Sequence, residues 1–309
     1  MEVNYRQIAE PIMYSITNPV GKKEFWNTGN ERVCIFCGRN KEEVKFKKDA
    51  HIFPAGLGNR IYFNKNECDE CNENFFSTYE NDLCNFLMFD RIFTGAPKRK
   101  GYPKDKGRGD SYMIREGIDS NVKINIDDLE GRYTFKNDEL NKIFSLTINK
   151  PLPYSEVNIC KAITHIGWSF LDESLRNKYS FILKWLLCET SIFPLYYDLV
   201  FFPGAGFSKV IFEIREAINE NSNFPIMFRF TFGTKILTFY LPKDTNVTDI
   251  PETDLIYIQL NNQNFEVGRK QIDCDKRIRP DSLKFDFKYT SASGEQEKIR
   301  NLVKNTTLS

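Results

Sequence analysis

Histidine is scarce in this chain: 309 residues hold two, His51 and His165. Imidazole chemistry therefore has at most two addresses. Long apolar runs are missing too. No stretch reaches the roughly 18 apolar residues of a membrane helix. The longest patches are interrupted, as Leu199–Phe202 is by Asp198 and Pro203. The opening M-E-V-N-Y-R-Q has no apolar segment of signal-peptide type. A cytoplasmic protein without a membrane partner is the expectation. Net charge is also nearly absent: 43 Lys and Arg stand against 42 Asp and Glu, for +1 overall. Any case for a nucleic-acid partner must therefore rest on local charge.

Hydrophobic residues at 41% and charged residues at 28% describe an ordinary globular chain, long enough for two domains. Residues 1–30 read as a polar lead-in arm and 31–95 as a small module, together one N-terminal unit, 1–95. Residues 96–110, rich in Gly, Pro and Lys, read as a basic linker or loop. Residues 111–309 read as a larger α+β domain. Its strand candidates are Ser111–Arg115, Asn121–Ile126, Arg132–Phe135, Lys142–Ile148, Lys209–Ile214, Ile226–Phe232, Lys235–Leu241, Leu255–Leu260 and Leu283–Tyr289. Apolar residues at helical spacing run from Ser155 to Trp168 and over Tyr179–Leu187, and a last helix is expected at Gly294–Lys304.

Of eight cysteines, four form two close pairs: Cys34 and Cys37 in C-I-F-C, Cys68 and Cys71 in C-D-E-C. A Cys-x-x-Cys turn places two thiolates on one metal, and a second pair completes the tetrahedral set that structural zinc prefers. Gly38 after Cys37 suits a backbone that curls around a bound sulfur. The four single cysteines, Cys84, Cys160, Cys188 and Cys274, are expected in the core as small hydrophobes.

His51 lies between the pairs, after the basic run K-F-K-K-D-A. Alternation with Val44 and Phe46 suggests a strand entering the site. Pro54, Gly56 and Gly58 force a loop, and a helix is expected from about Asn72. His165, in T-H-I-G-W on a helical run, reads as structural.

The combination C-I-F-C-G, D-A-H-I-F-P-A-G-L-G-N and N-E-C-D-E-C-N-E-N-F-F resembles the HNH endonucleases, in the branch whose ββα-metal core sits on a four-cysteine, treble-clef-like zinc site. The resemblance covers roughly residues 31–95. It implies His51 as general base and a divalent ion, Mg2+ or Mn2+, near Asn72, the last position of the motif. Asn64 or Asn66 would be the middle asparagine. Many members carry Asp directly before the histidine; here Ala50 stands there. Asp49 and Glu80 are the substitutes: Asp49 shares the face of His51 on a regular strand, and Glu80 lies about 80° around the helix from Asn72. Asp82 is the poorer candidate.

The implied reaction is hydrolysis of phosphodiester bonds in double-stranded DNA. Phage defence is a setting carried by family analogy alone. Lys45, Lys47 and Lys48 precede His51. Arg91–Asp110 holds Arg91, Lys98, Arg99, Lys100, Lys104, Lys106 and Arg108 against Asp105 and Asp110, a local charge of +5. Lys98, Arg99 and Lys100 join the first three as candidate backbone contacts. Tyr102 is a single stacking candidate. Two other readings stay open: a zinc module that binds nucleic acid without cutting it, and a structural or regulatory protein. The larger domain is left to DNA contact, ligand sensing or pairing with a second copy.

Overall fold

Ile226–Gly233 and Lys235–Leu241 are buried along their whole length. Strands apolar on both faces belong at the centre of a sheet covered on both sides. They do so here, in a seven-stranded antiparallel sheet with the order Tyr5–Gln7, Phe207–Ala217, Ile226–Gly233, Lys235–Leu241, Leu195–Phe201, Val267–Ile272, in which Ile12–Ser15 also pairs with Phe207–Ala217. The computed structural model describes residues 4–16, 21–29, 31–107, 109–127, 131–202, 206–245, 247, 249–251 and 267–288. The expected strand Leu255–Leu260, the expected helix Gly294–Lys304 and the basic residue Arg108 lie outside them.

Two expectations of organisation change. The lead-in arm is instead part of the large sheet, because Tyr5 and Ile12 bury their side chains against it and pair with a strand some two hundred residues away. The basic linker contains a strand, Lys104–Lys106, paired with Tyr112–Ile114. Its Asp105 is buried because Arg132 donates to both carboxylate oxygens, at 3.1 and 2.6 Å, and Tyr133 donates at 2.6 Å. The single cysteines divide: Cys160 is buried, Cys84 is partly so, and Cys188 and Cys274 are exposed. Among the described residues no helix is long and apolar enough to cross a membrane.

The helix Glu156–Phe170 joins the first third of the chain to this sheet. Ser155 caps it by accepting from the Asn158 amide at 3.2 Å. Twelve of its fifteen residues are buried. Gly167 lets it press on the sheet: a Cβ there would lie 2.3 Å from the Phe228 ring. Its other side is polar and specific. Asn158 donates to Asp82 at 2.7 Å, Trp168 to the Ile35 carbonyl at 3.3 Å, and Ser169 Oγ accepts from Asn64 at 3.2 Å. His165 Nε2 lies 2.9 Å from Glu67 Oε2, with both side chains buried. The His165 ring is flanked by Phe36 and Phe76. One apolar cluster accordingly takes Phe36, Phe53 and Leu83 from the first third together with Ile163, Phe228 and Phe239.

Candidate active site and metal cluster

The cysteine pairs converge. Their four sulfurs lie within 4.8 Å of one another. Cys34 and Cys71 are 3.9 Å apart, Cys37 and Cys68 3.8 Å. Tetrahedral zinc with Zn–S bonds of about 2.3 Å sets its ligands about 3.8 Å apart, so the sulfurs fit that ion. Local backbone explains the convergence. Gly38 takes a left-handed φ of 72° and donates to the Cys34 carbonyl at 2.9 Å, while Cys68 Sγ accepts from the Cys71 amide at 3.4 Å. Arg39 Nε, 3.4 Å from Cys37 Sγ, offsets the excess negative charge of four thiolates on a dication. Without an ion the sulfurs divide their protons unequally: contact between them holds Cys68 low and Cys34 high. A shared cation removes that conflict.

His51 sits on a second, three-stranded sheet. Ala50–His51 pairs antiparallel with Tyr62–Asn64, which pairs parallel with Glu24–Trp26. The strand at His51 is only two residues long, so Val44 and Phe46 precede it as loop. In register His51 lies opposite Phe63, and Phe63 opposite Phe25. Cross-strand partners share a face. The His51 ring is 4.6 Å from that of Phe63; Lys23 Nζ stands 4.8 Å over Phe63, and Lys65 Nζ 3.9 Å over Phe25. Asp49 is held on the same face by Lys23 at 2.8 Å and Lys65 at 3.7 Å. Contact with Lys23 keeps its carboxyl below the usual range.

Asn59 closes the loop between the paired strands. Its amide donates to the carbonyls of Phe53 at 3.0 Å and Tyr62 at 2.9 Å; its oxygen accepts from the amides of Ile61 and Tyr62, each at 3.0 Å. Two hydrogens and two lone pairs are thereby used. The 3.5 Å approach of Asn59 Nδ2 to His51 Nδ1 is a positioning contact beyond that set. Arg60 donates to the carbonyls of Ala55 at 3.1 Å and Asn59 at 2.6 Å, which fixes its guanidinium at the loop. Arg91 ties the loop to the neighbouring helix through the Gly56 carbonyl at 2.8 Å.

His51 is pushed down to about 4, first by burial and then by the charges of Arg60, Arg99 and Lys23; Asp49 opposes them. Its imidazole is thus neutral throughout the neutral range and keeps one nitrogen free to accept a proton.

Asn72, Asp49 and Glu80 are the side chains expected to hold a hydrolytic ion. Among the described residues the four cysteines are the sole group of three or more His, Cys, Asp or Glu placed to hold an ion. Asp49 is occupied by its lysines. Asn72 opens a π-helical turn, Asn72–Phe76, within a helical run that starts at Asp69 and continues as Ser77–Phe86. Glu80 is pushed up to about 8, by burial and then by the charge of Glu67, so at pH 7 it is mostly protonated. Asp82 caps the Ser155 turn and pairs with Arg277 at 2.9 Å.

The other candidates sort by side. Asn64 is opposite in parity to Phe63 on the strand, so it points away from His51, to Ser169 and Asn27. Its Oδ1 also accepts from the Asn66 amide at 3.0 Å. Lys45, Lys47, Lys48, Lys98, Arg99 and Lys100 are all exposed, and Lys48 pairs with Glu73. The charge of Arg99 is among those that hold His51 low. Lys23, Asn59 and Arg60 escaped the sequence reading. G-L-G-N was the available signal for Asn59: an amide side chain after two loop glycines is a natural loop closer.

Residues 34–87 match the model of a family described as HNH endonuclease. This segment is an HNH domain on a four-cysteine cluster. Nuclease chemistry on a nucleic-acid substrate is the general property of that family, and the cysteine cluster of this HNH domain is compatible with structural zinc. No curated protein and no solved structure matches the chain. Lys23, Arg99 and the helix Glu156–Phe170 lie outside the matched segment.

Proposed function

We propose that this chain is an endonuclease that hydrolyses phosphodiester bonds in double-stranded DNA, with His51 as general base. The observation that carries this reading is a neutral imidazole beside Asn59, packed on the Phe63 ring over which Lys23 also stands. A neutral nitrogen can take the proton of a water attacking phosphorus, and cations beside it can bind the phosphate. Zinc in the cysteine cluster is structural. Mg2+ or Mn2+ is the ion the family resemblance implies for the reaction; Asn72 with Asp49 or Glu80 would hold it, and it would supply neutralisation of charge on the phosphate. The steps assigned here are those of the chain's own side chains. Phage defence is the setting we assign by family resemblance.

The test is conversion of supercoiled plasmid by zinc-loaded protein, with Mg2+, with Mn2+ and without either. Nicking or cleavage that His51→Ala abolishes while the fold persists is expected. A second reading is favoured by the engagement of Asp49 with two lysines: a zinc module that only binds nucleic acid. Binding without cleavage in every buffer would establish that reading instead.

A further inference from the structure

We propose that Cys188 is a modification site: a peroxide-reactive thiol prepared by Lys161 and Tyr79. Such a site is independent of the hydrolytic reading above.

Three elements meet at this thiol. Lys161, on the helix Glu156–Phe170, places Nζ 3.1 Å from Cys188 Sγ and 3.4 Å from the Tyr79 hydroxyl. Tyr79 comes from the helix Ser77–Phe86 of the HNH segment. Its hydroxyl donates to the Leu186 carbonyl at 2.6 Å and lies 3.2 Å from the same sulfur. Cys188 follows the helix Phe181–Leu186, held there by its amide on the Trp185 carbonyl at 3.1 Å.

Charge balance decides what the sulfur is. Lys161 is 5% exposed, and the rings of Tyr79 and Trp185 lie 5.1 and 5.4 Å from its ammonium. A buried ammonium is costly without a counter-charge. Among the described residues neither of its hydrogen-bond partners is a carboxylate. The Tyr79 hydroxyl spends its proton on Leu186, and burial followed by contact with Cys188 holds its ionisation above the ordinary value. The Cys188 sulfur is left to carry the negative charge. Thiolate is the form that attacks peroxide. Cys188 is exposed, so a small oxidant reaches it while the lysine stays buried. Cys274 is the other exposed cysteine, and no lysine or arginine contacts its sulfur among the described residues.

Hydrogen peroxide is the oxidant. The thiolate attacks one peroxide oxygen, and an S–O bond forms as the O–O bond breaks. Sulfur gives up two electrons and becomes a sulfenic acid; the departing hydroxide takes a proton from solvent and leaves as water. Lys161 faces the charge that passes from sulfur to that hydroxide. The added oxygen sits where the HNH helix meets the helix Glu156–Phe170.

The experiment treats the full, zinc-loaded chain with hydrogen peroxide and dimedone, a trap for sulfenic acids, and reads each cysteine by peptide mass spectrometry. Zinc content and thermal midpoint are measured alongside. At pH 7 Cys188 should be trapped at least about fivefold faster than Cys274, since an ordinary thiol is only roughly a few per cent thiolate there and lower nucleophilicity takes back part of the gain. Lys161→Met keeps an apolar stem and removes the charge. It should bring Cys188 to within about twofold of Cys274, and Lys161→Arg should keep most of the excess. Trapping of Cys188 no faster than Cys274 in the unaltered protein would overturn the proposal, whether or not the variants fold. So would an excess that survives Lys161→Met at an unchanged thermal midpoint.

Discussion

The first third of the chain holds two sites built on opposite principles. At the cysteine cluster four identical ligands converge on one point, each pair set by its own two-residue turn. At His51 nothing converges on a point. A base, two aromatic rings and several cations spread over one face of a sheet whose three strands come from different stretches of the chain. A metal clip is encoded locally and tolerates little change. A cationic face is assembled by register between strands.

That contrast breaks first at the cysteines. Cys68→Ser should cost more stability than the roughly 5–15 kcal/mol a domain possesses, because zinc binding in such clusters contributes on that scale. Loss of bound zinc together with loss of a cooperative thermal transition is the expected outcome. Retention of a sharp transition would show that the shared apolar core suffices without the metal.

Next comes the contact between the HNH domain and the larger sheet. Burial raises the Glu67 carboxyl and His165 lowers it; both side chains are at least 98% buried. His165→Ala should cost about 3–5 kcal/mol, as expected when one partner of a buried pair is removed. Urea unfolding measures it. Gly167→Ala should cost about 1–3 kcal/mol through overpacking against Phe228, and the same assay reads it. A cost near zero for both would mean that the two parts of the chain are held by something other than the helix Glu156–Phe170.

The smallest effects concern pH. His51 at about 4 predicts an acid limb of kcat/KM near pH 4, not near the ordinary imidazole value of about 6.5. Phosphate bound at Arg60, Arg99 and Lys23 cancels part of the charge that depresses His51, so the limb of kcat should lie higher. Stability follows the same shift. Between about 4 and the unfolded value of about 6.5 the unfolded chain binds the extra proton, so the His51 contribution is complete above that window and declines as pH falls through it. A kcat/KM limb at 6.5 would place His51 in solvent, away from the cations.

Legibility in the sequence followed the same division. The zinc cluster was readable because two-residue spacings fix sulfur geometry locally. Strands such as Ile226–Gly233 and Lys235–Leu241 were readable because apolar alternation and burial coincide within a few residues. Partners were not readable. Nothing near Tyr5 announces Ala217, and nothing near Lys23 announces Phe63, since β-register is set between distant segments. The angle that favoured Glu80 carried no information about its burial, which with the charge of Glu67 pushes its carboxyl up to about 8. Asn64 turns to Ser169 and Asn27 because a two-residue period reverses sides at every step. The basic stretch 96–110 read as linker because Asp105 finds Arg132 and Tyr133 only in three dimensions.

The most direct measurement compares plasmid cleavage by the zinc-loaded protein with that by its His51→Ala variant, at equal zinc content and equal thermal midpoint. Cleavage by the first and none by the second, with DNA binding retained in both, is the predicted result. Equal cleavage by both, or binding without cleavage by either, would contradict His51 as the base.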